Sequence, residues 1–105
     1  MKAIFDACGH PAVGATWNSN ATDLDERKSI GANFELLRPF IKSCHINDLE
    51  NDRRGTYPYR DLFRRLAATN YDRYTLIEVG RSYDVAAGTE FLKGYKKLWE
   101  ELVRG

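Results

Sequence analysis

Three apolar segments of strand length alternate with amphipathic segments of helical period along the chain. The strand-like segments are AVGATWN (12–18), FIKSCHIND (40–48) and YTLIEV (74–79). The first is apolar on both faces, which is typical of strands in parallel sheets. Strands that are separated by helices pair in parallel through right-handed crossovers. The pattern therefore predicts an α/β fold made of consecutive parallel (β/α) units.

Four helical segments are predicted around these strands, because apolar residues recur there at helical spacing. They cover residues 2–8, about 28–38, a stretch that starts near Pro58, and 91–103. Asn70 is expected to end the third helix in the left-handed conformation. Polar or charged loops are expected at 19–27, 49–56 and 80–88. The buried stripes should consist of Ile30, Phe34 and Leu37, then Leu62, Phe63 and Leu66, and finally Phe91, Leu92, Tyr95, Leu98, Trp99 and Leu102.

Alternation along the strands sorts their side chains into two sets. One set suits packing beneath helices and comprises Val13, Ala15, Trp17, Cys44, Ile46, Ile77 and Val79. The other set faces the opposite side and comprises Gly14, Thr16, Asn18, Ile41, Ser43, His45, Tyr74, Leu76 and Glu78. Functional groups of parallel sheets gather beyond the C-terminal strand ends. Asn18, His45 and Glu78 each end a strand, so we expect them to converge on one face.

Imidazole and carboxylate together suit a borderline divalent metal such as Mn²⁺, Co²⁺ or Zn²⁺. A carboxylate at this place could also act as a general base. A second interpretation stays open, in which His45 and Glu78 only hydrogen-bond to each other or to loop amides. Asp48 follows His45 by three residues. It could orient the imidazole or bind metal, or it could be a solvated loop acid.

Composition narrows the function classes. The chain has 105 residues, which allows one domain at most, and its net charge of +1 gives no reason to expect a nucleic-acid partner. No apolar run approaches the ~20 residues of a membrane span, and the N-terminus lacks the pattern of a signal peptide. A cytoplasmic protein is therefore expected. Cys8 and Cys44 have no CxxC spacing, and both are expected to be buried as small apolar residues.

Three segments carry a resemblance to a known family: HPAVGATWNSN, RPFIKSCHINDL and YPYRDLFRRLAATNYDRYTLIEVG. They resemble the last three βα units of the sugar phosphate isomerase/epimerase family, which has a xylose-isomerase-like TIM barrel. The resemblance implies that residues 1–105 form the C-terminal portion of such a barrel, with about three strands and four helices. It also implies a divalent metal cofactor (Mn, Co, Zn or Mg), and a small sugar or polyol substrate.

The same resemblance assigns roles to the strand ends. It implies that His45 is a metal ligand and that Glu78 is both a metal ligand and the catalytic acid/base. The family has an Asp where this chain has Asn18, and a His where it has Ala21. An amide oxygen is a weaker, neutral ligand, and a further family Glu from an earlier strand has no counterpart here. About half of the metal site is therefore encoded, with Asn18 as the weakest member.

Loop residues on the same face are candidates for substrate binding. Asp48, Arg53 and Arg81 are the expected contacts, and Arg54 is adjacent to them. Arginines could hold a sugar hydroxyl or a phosphate. Because no glycine-rich cradle accompanies them, ordinary surface charge remains the alternative.

Three strands cannot close a barrel that needs eight strands and about 250 residues. Open strand edges and unburied apolar faces promote association, so a homo-oligomer that completes or extends the sheet is expected. A natural short gene, a truncated gene and an expressed fragment would all have this sequence. The alternative function is a non-catalytic oligomeric scaffold or binding remnant of such a barrel.

Overall fold

An open, three-stranded parallel sheet organises the fold. The computed structural model describes residues 2–105, and its strands are β1 (Ala15–Trp17), β2 (Ile41–Ile46) and β3 (Thr75–Ile77). They lie in the order β1-β2-β3, and both neighbouring pairs are parallel. The predicted α/β fold with parallel (β/α) units is confirmed. Each strand is shorter than the apolar segment from which it was predicted.

Five α-helices occur within residues 2–105, one more than predicted. They are α1 (Lys2–Cys8), α2 (Gly31–Leu37), α3 (Asn51–Arg54), α4 (Tyr59–Ala68) and α5 (Val85–Val103). The short α3 lies in the predicted charged loop and ends at Gly55, whose φ of 72° provides a left-handed C-cap. Asn70 has φ 57°, so its predicted left-handed conformation after α4 is confirmed.

The last helix begins earlier than predicted, at Val85 rather than near residue 91. Asp84 is its N-cap, and the carboxylate accepts a hydrogen bond from the backbone N–H of Ala87 at 2.8 Å. Gly88, the last residue of the predicted loop, lies inside the first turn, where its N–H bonds to the Asp84 carbonyl at 2.8 Å. The loop predicted over 80–88 therefore ends at the Asp84 cap.

The core lies on the helix side of the sheet. Its members include Trp17, Cys44 and Ile46 from the strands, Ile30 and Phe34 at α2, Leu62, Phe63 and Leu66 from α4, and Tyr95 and Leu102 from α5. The predicted stripes of α2 and α4 are confirmed. In α5 the stripe is only partly covered, since Leu92 remains 53% exposed. The prediction for Cys8 was wrong, because α1 buries none of its residues and Cys8 is exposed.

The opposite face of the sheet is open. The hydroxyls of Thr16 and Ser43 meet across β1 and β2 at 2.6 Å, as expected from the predicted alternation. Ile77, by contrast, was predicted to lie beneath helices and is 43% exposed. The reason is that α5 packs chiefly on α4, so that Ile77 lines an open groove between β3 and these two helices. Of the helices in the described part of the chain, none combines the length and apolar character required to cross a membrane.

Candidate functional site

His45 and Glu78 lie side by side at the C-terminal ends of β2 and β3. His45 is opposite Leu76 in the strand register, and the Glu78 N–H donates to the Ile46 carbonyl at 2.9 Å, which continues the pairing by one step. The two side chains meet on the open face, with 3.1 Å between His45 Nδ1 and Glu78 Oε2. The structure therefore brings together two of the three predicted strand-end residues.

The pair is accessible from the open face of the sheet. The His45 side chain is 33% exposed and that of Glu78 is 66% exposed. When Nδ1 carries the imidazole proton it donates to the carboxylate, which leaves Nε2 as an acceptor. The arrangement can therefore orient the carboxylate and still present a second imidazole nitrogen.

The geometry of the pair can be tested against a divalent metal. Two donors at ~2.1 Å from one ion are about 3 Å apart when their bonds to it are roughly perpendicular, and the observed 3.1 Å agrees with that spacing. Among residues 2–105, however, no group of three or more His, Cys, Asp and Glu side chains could hold a metal ion. Because 3.1 Å is also an ordinary hydrogen-bond distance, the contact alone does not indicate a metal, and residues 2–105 supply no complete donor set.

Asn18, the third predicted ligand, is exposed and directly follows β1. The next residue, Ser19, is buried and has φ 58°. Its hydroxyl donates to the His45 carbonyl at 2.7 Å. In return, the side-chain amide of Asn47 donates to the Ser19 carbonyl at 2.9 Å. The loop that carries Asn18 is thus tied to the strand end that carries His45.

Two buried tyrosines hold the backbone just beyond His45. The Asn47 N–H donates to the Tyr59 hydroxyl at 3.0 Å, and the Tyr95 hydroxyl donates to the Asn47 carbonyl at 2.5 Å. Burial raises the pKa of both tyrosines, so both hydroxyls stay protonated at neutral pH. The sequence predicted Tyr95 only as a core residue and did not single out Tyr59.

A second network shapes the loop after β1. Trp17 Nε1 donates to the Tyr57 hydroxyl at 2.9 Å, and that hydroxyl donates to Asp23 Oδ2 at 2.8 Å. The same carboxylate oxygen accepts the Asn20 N–H at 2.7 Å. Burial, and then the bond to Asp23, raise the pKa of Tyr57. Sequence reasoning missed Tyr57, for which the only signal was an aromatic residue next to Pro58.

A cleft of about 540 Å³ adjoins Glu78 and is called here the strand-end cleft. Its polar lining comprises Asn47, Asp48, Arg54, Glu78, Arg81 and Tyr83. The Arg54 guanidinium bonds to Asp48 at 2.7 Å and, with the nearby charge of Arg81, holds the pKa of that carboxyl below its usual range. The cleft therefore offers both hydrogen-bond donors and acceptors to a small polar ligand.

The candidate substrate-binding residues lie in two different places in the structure. Asp48 and Arg81 line the strand-end cleft, whereas Arg53 forms salt bridges with Glu50 at 3.3 Å and Glu101 at 3.1 Å. Arg54 takes the place in the cleft that was expected for Arg53. Arg53 and Arg54 are consecutive residues of one short helix and point in different directions, and no sequence pattern indicates which of them faces the cleft.

The structure thus joins His45 and Glu78 directly and connects the Asn18 loop to them through Ser19. Comparison of the chain with protein-family models, with curated proteins and with solved structures found no match.

Proposed function

We propose that this chain is part of a xylose-isomerase-like (β/α) barrel and contributes Glu78 and His45 to the site of a metal-dependent sugar or sugar phosphate isomerase or epimerase. The observation that carries the proposal is the 3.1 Å contact between these side chains at adjoining parallel strand ends. Parallel β/α folds place their chemistry at that edge. The family resemblance of the strand ends adds the expected roles.

In this proposal Glu78 is the acid/base residue. Its carboxylate lies on the open face, and a positioned carboxylate can accept a proton from a carbon next to a carbonyl. His45 orients the carboxylate through Nδ1 or acts as a ligand. The bound metal would supply polarisation of the substrate carbonyl. Arg54 and Arg81 would bind hydroxyls or an anionic substituent from the strand-end cleft.

The site needs donors beyond those that this chain brings together. Asn18 offers a neutral amide where the family has a carboxylate, and His45 and Glu78 are two ligands where catalytic sites use three or more. The remaining ligands would come from another copy of the chain or from further polypeptide that completes the barrel. The proposal therefore includes a homo-oligomer or another barrel-completing assembly.

Metal binding by the purified chain tests the proposal. Titration with Co²⁺, followed by absorption spectroscopy and calorimetry, should show one ion bound per pair of His45 and Glu78. His45→Ala and Glu78→Gln should each weaken binding by on the order of tenfold or more, since each removes a ligand. His10→Ala is the matched control, because within residues 2–105 the His10 side chain forms one hydrogen bond, in which Nδ1 accepts the nearby Ala12 N–H at 3.1 Å, and its loss should leave the metal affinity unchanged.

The same samples test catalysis. With Mn²⁺ or Co²⁺ present, conversion between small ketoses and their isomers or epimers should disappear in Glu78→Gln and persist in His10→Ala. Cobalt affinity that is unchanged in both His45→Ala and Glu78→Gln would overturn the proposal.

A second candidate function is a non-catalytic oligomeric scaffold or binding remnant of such a barrel. It is supported by Asn18 in place of a carboxylate and by the incomplete donor set within residues 2–105. A folded wild-type chain that binds no Co²⁺ or Mn²⁺, and that converts none of the sugars tested, would favour this function.

A further inference from the structure

Three elements converge on the backbone of the residues at the end of β2. The loop after β1 contributes the Ser19 hydroxyl, which bonds to the His45 carbonyl at 2.7 Å. Helix α4 contributes the Tyr59 hydroxyl, which accepts the Asn47 N–H at 3.0 Å. Helix α5 contributes the Tyr95 hydroxyl, which donates to the Asn47 carbonyl at 2.5 Å. The peptide groups on both sides of Ile46 are therefore fixed from outside the sheet.

Ser19 adopts a backbone conformation that glycine would adopt at a lower energetic cost. Its φ of 58° lies in the left-handed region, which residues with a side chain rarely occupy. Such backbone strain persists only where the surroundings impose it, and it concentrates at functional sites. Here the surroundings are specific: the hydroxyl bonds to His45, and the carbonyl accepts the Asn47 side chain at 2.9 Å.

The two tyrosines do more than fill the core. A phenylalanine would bury the same ring at either position, and a buried hydroxyl is costly unless it finds a partner. Both hydroxyls find theirs on one residue, Asn47, whose N–H and carbonyl are thereby both satisfied. Asn47 is two residues beyond His45. A shift of the backbone at Asn47 would therefore move the imidazole relative to β3.

We infer that Ser19, Tyr59 and Tyr95 are positioning residues that hold the end of β2 so that the His45 imidazole stays in contact with Glu78. The inference rests on the proposed function only in taking the His45–Glu78 pair as the site. Within residues 2–105 none of the three hydrogen-bonds to the imidazole or to the carboxylate, and their hydroxyls bond instead to the backbone of residues 45–47.

Nuclear magnetic resonance of the metal-free protein tests this inference independently of catalysis. With ¹⁵N-labelled histidine, the shifts of the ring nitrogens report the tautomer balance of His45, and His10 serves as an internal reference. Ser19→Ala, Tyr59→Phe and Tyr95→Phe should each move the His45 Nδ1 shift toward its value in Glu78→Gln. The His10 shifts should stay constant in all of them.

Tyr71→Phe is the matched control. The Tyr71 hydroxyl also donates to a backbone carbonyl, that of Tyr74, at 2.7 Å, but this bond lies before β3 and away from the site. Its loss should leave the His45 shifts at their wild-type values.

The outcomes separate the inference from the proposed function. Unchanged His45 nitrogen shifts in folded Tyr59→Phe and Tyr95→Phe would overturn the inference, as would an equal change in Tyr71→Phe. These two variants keep the ring volume, so they decide the question even if Ser19→Ala fails to fold. Displaced His45 shifts in a protein that binds no metal would support the inference and contradict the proposed function.

Discussion

Cys8 and Cys44 differ in burial and should therefore differ in reactivity. Cys8 is exposed on α1, whereas Cys44 lies in β2 on the helix side and is fully buried. Burial, and then the negative charge of Asp23, raise the pKa of the Cys44 thiol to about 12. Since the thiolate is the reactive form, Cys44 should be inert in the folded chain.

Thiol labelling of the native protein should therefore modify Cys8 rapidly and Cys44 only after unfolding. At pH 8, a disulfide reagent should release one equivalent in a fast phase and the second equivalent upon addition of denaturant. Cys8→Ser is the control and should abolish the fast phase. Two fast equivalents from the native wild type would contradict the burial of Cys44.

The raised pKa of Cys44 predicts that the folding stability depends on pH. The folded-state pKa of Cys44 exceeds its ordinary value of 9.0, so the unfolded chain loses this proton first as the pH rises. The stabilisation of the folded state by the buried, protonated Cys44 thiol is fully present below about pH 9 and is lost between that pH and about pH 12. The free energy of unfolding in urea should fall from pH 8 to pH 10. Buried tyrosines with raised pKa, such as Tyr57, act in the same direction.

At the scale of elements, one side chain sets the start of the longest helix. Asp84 is the N-cap of α5, and its carboxylate accepts the Ala87 N–H at 2.8 Å. Asp84→Ala should lower the free energy of unfolding by ~1 kcal/mol, because a backbone donor of the first turn loses its partner. Urea denaturation measures the change.

Asp84→Asn serves as the conservative variant and should recover most of the lost stability, since its side-chain oxygen can still accept the bond. Asp72→Ala is the control, because Asp72 forms no hydrogen bond or salt bridge within residues 2–105 and is exposed. Equal losses in Asp84→Ala and Asp72→Ala would show that the cap is not what stabilises α5.

Periodicity predicted the elements that bury a continuous stripe and missed those stabilised by single local bonds. Phe34 and Leu62 lie where the helical spacing places them. The start of α5 depends instead on the carboxylate of Asp84, and α3 is too short to show a period. A local hydrogen bond of this kind leaves no repeating pattern in the sequence.

The candidate site was predictable to the same limited extent. Alternation within each strand places His45 and Glu78 on one face, and their contact follows from parallel pairing. The partners of Asn47 could not be predicted, because Tyr59 and Tyr95 are 12 and 48 residues distant along the chain. Their convergence depends on how α4 and α5 pack over the sheet.

At the scale of the whole molecule, the β3 side is poorly covered. Tyr74 is 82% exposed and Leu76 is 44% exposed. A groove of about 600 Å³ between β3, α4 and α5 is lined largely by apolar side chains, including Ile77 and Trp99. The indole N–H of Trp99 is buried and has no hydrogen-bond partner among residues 2–105. Exposed apolar surface beside an open strand edge favours association.

We therefore expect the wild type to sediment as a homo-oligomer at micromolar concentration. Leu76→Lys should shift it toward the monomer, because a charged residue on an edge strand opposes pairing with another chain. The far-UV circular dichroism should stay unchanged, since Leu76 is half-exposed already. Leu36→Lys, at a position on α2 that is 51% exposed, is the control and should leave the oligomer intact. A folded wild-type monomer would show that the open face and edge of β3 do not associate, and the missing ligands of the proposed site would then have to come from a different polypeptide.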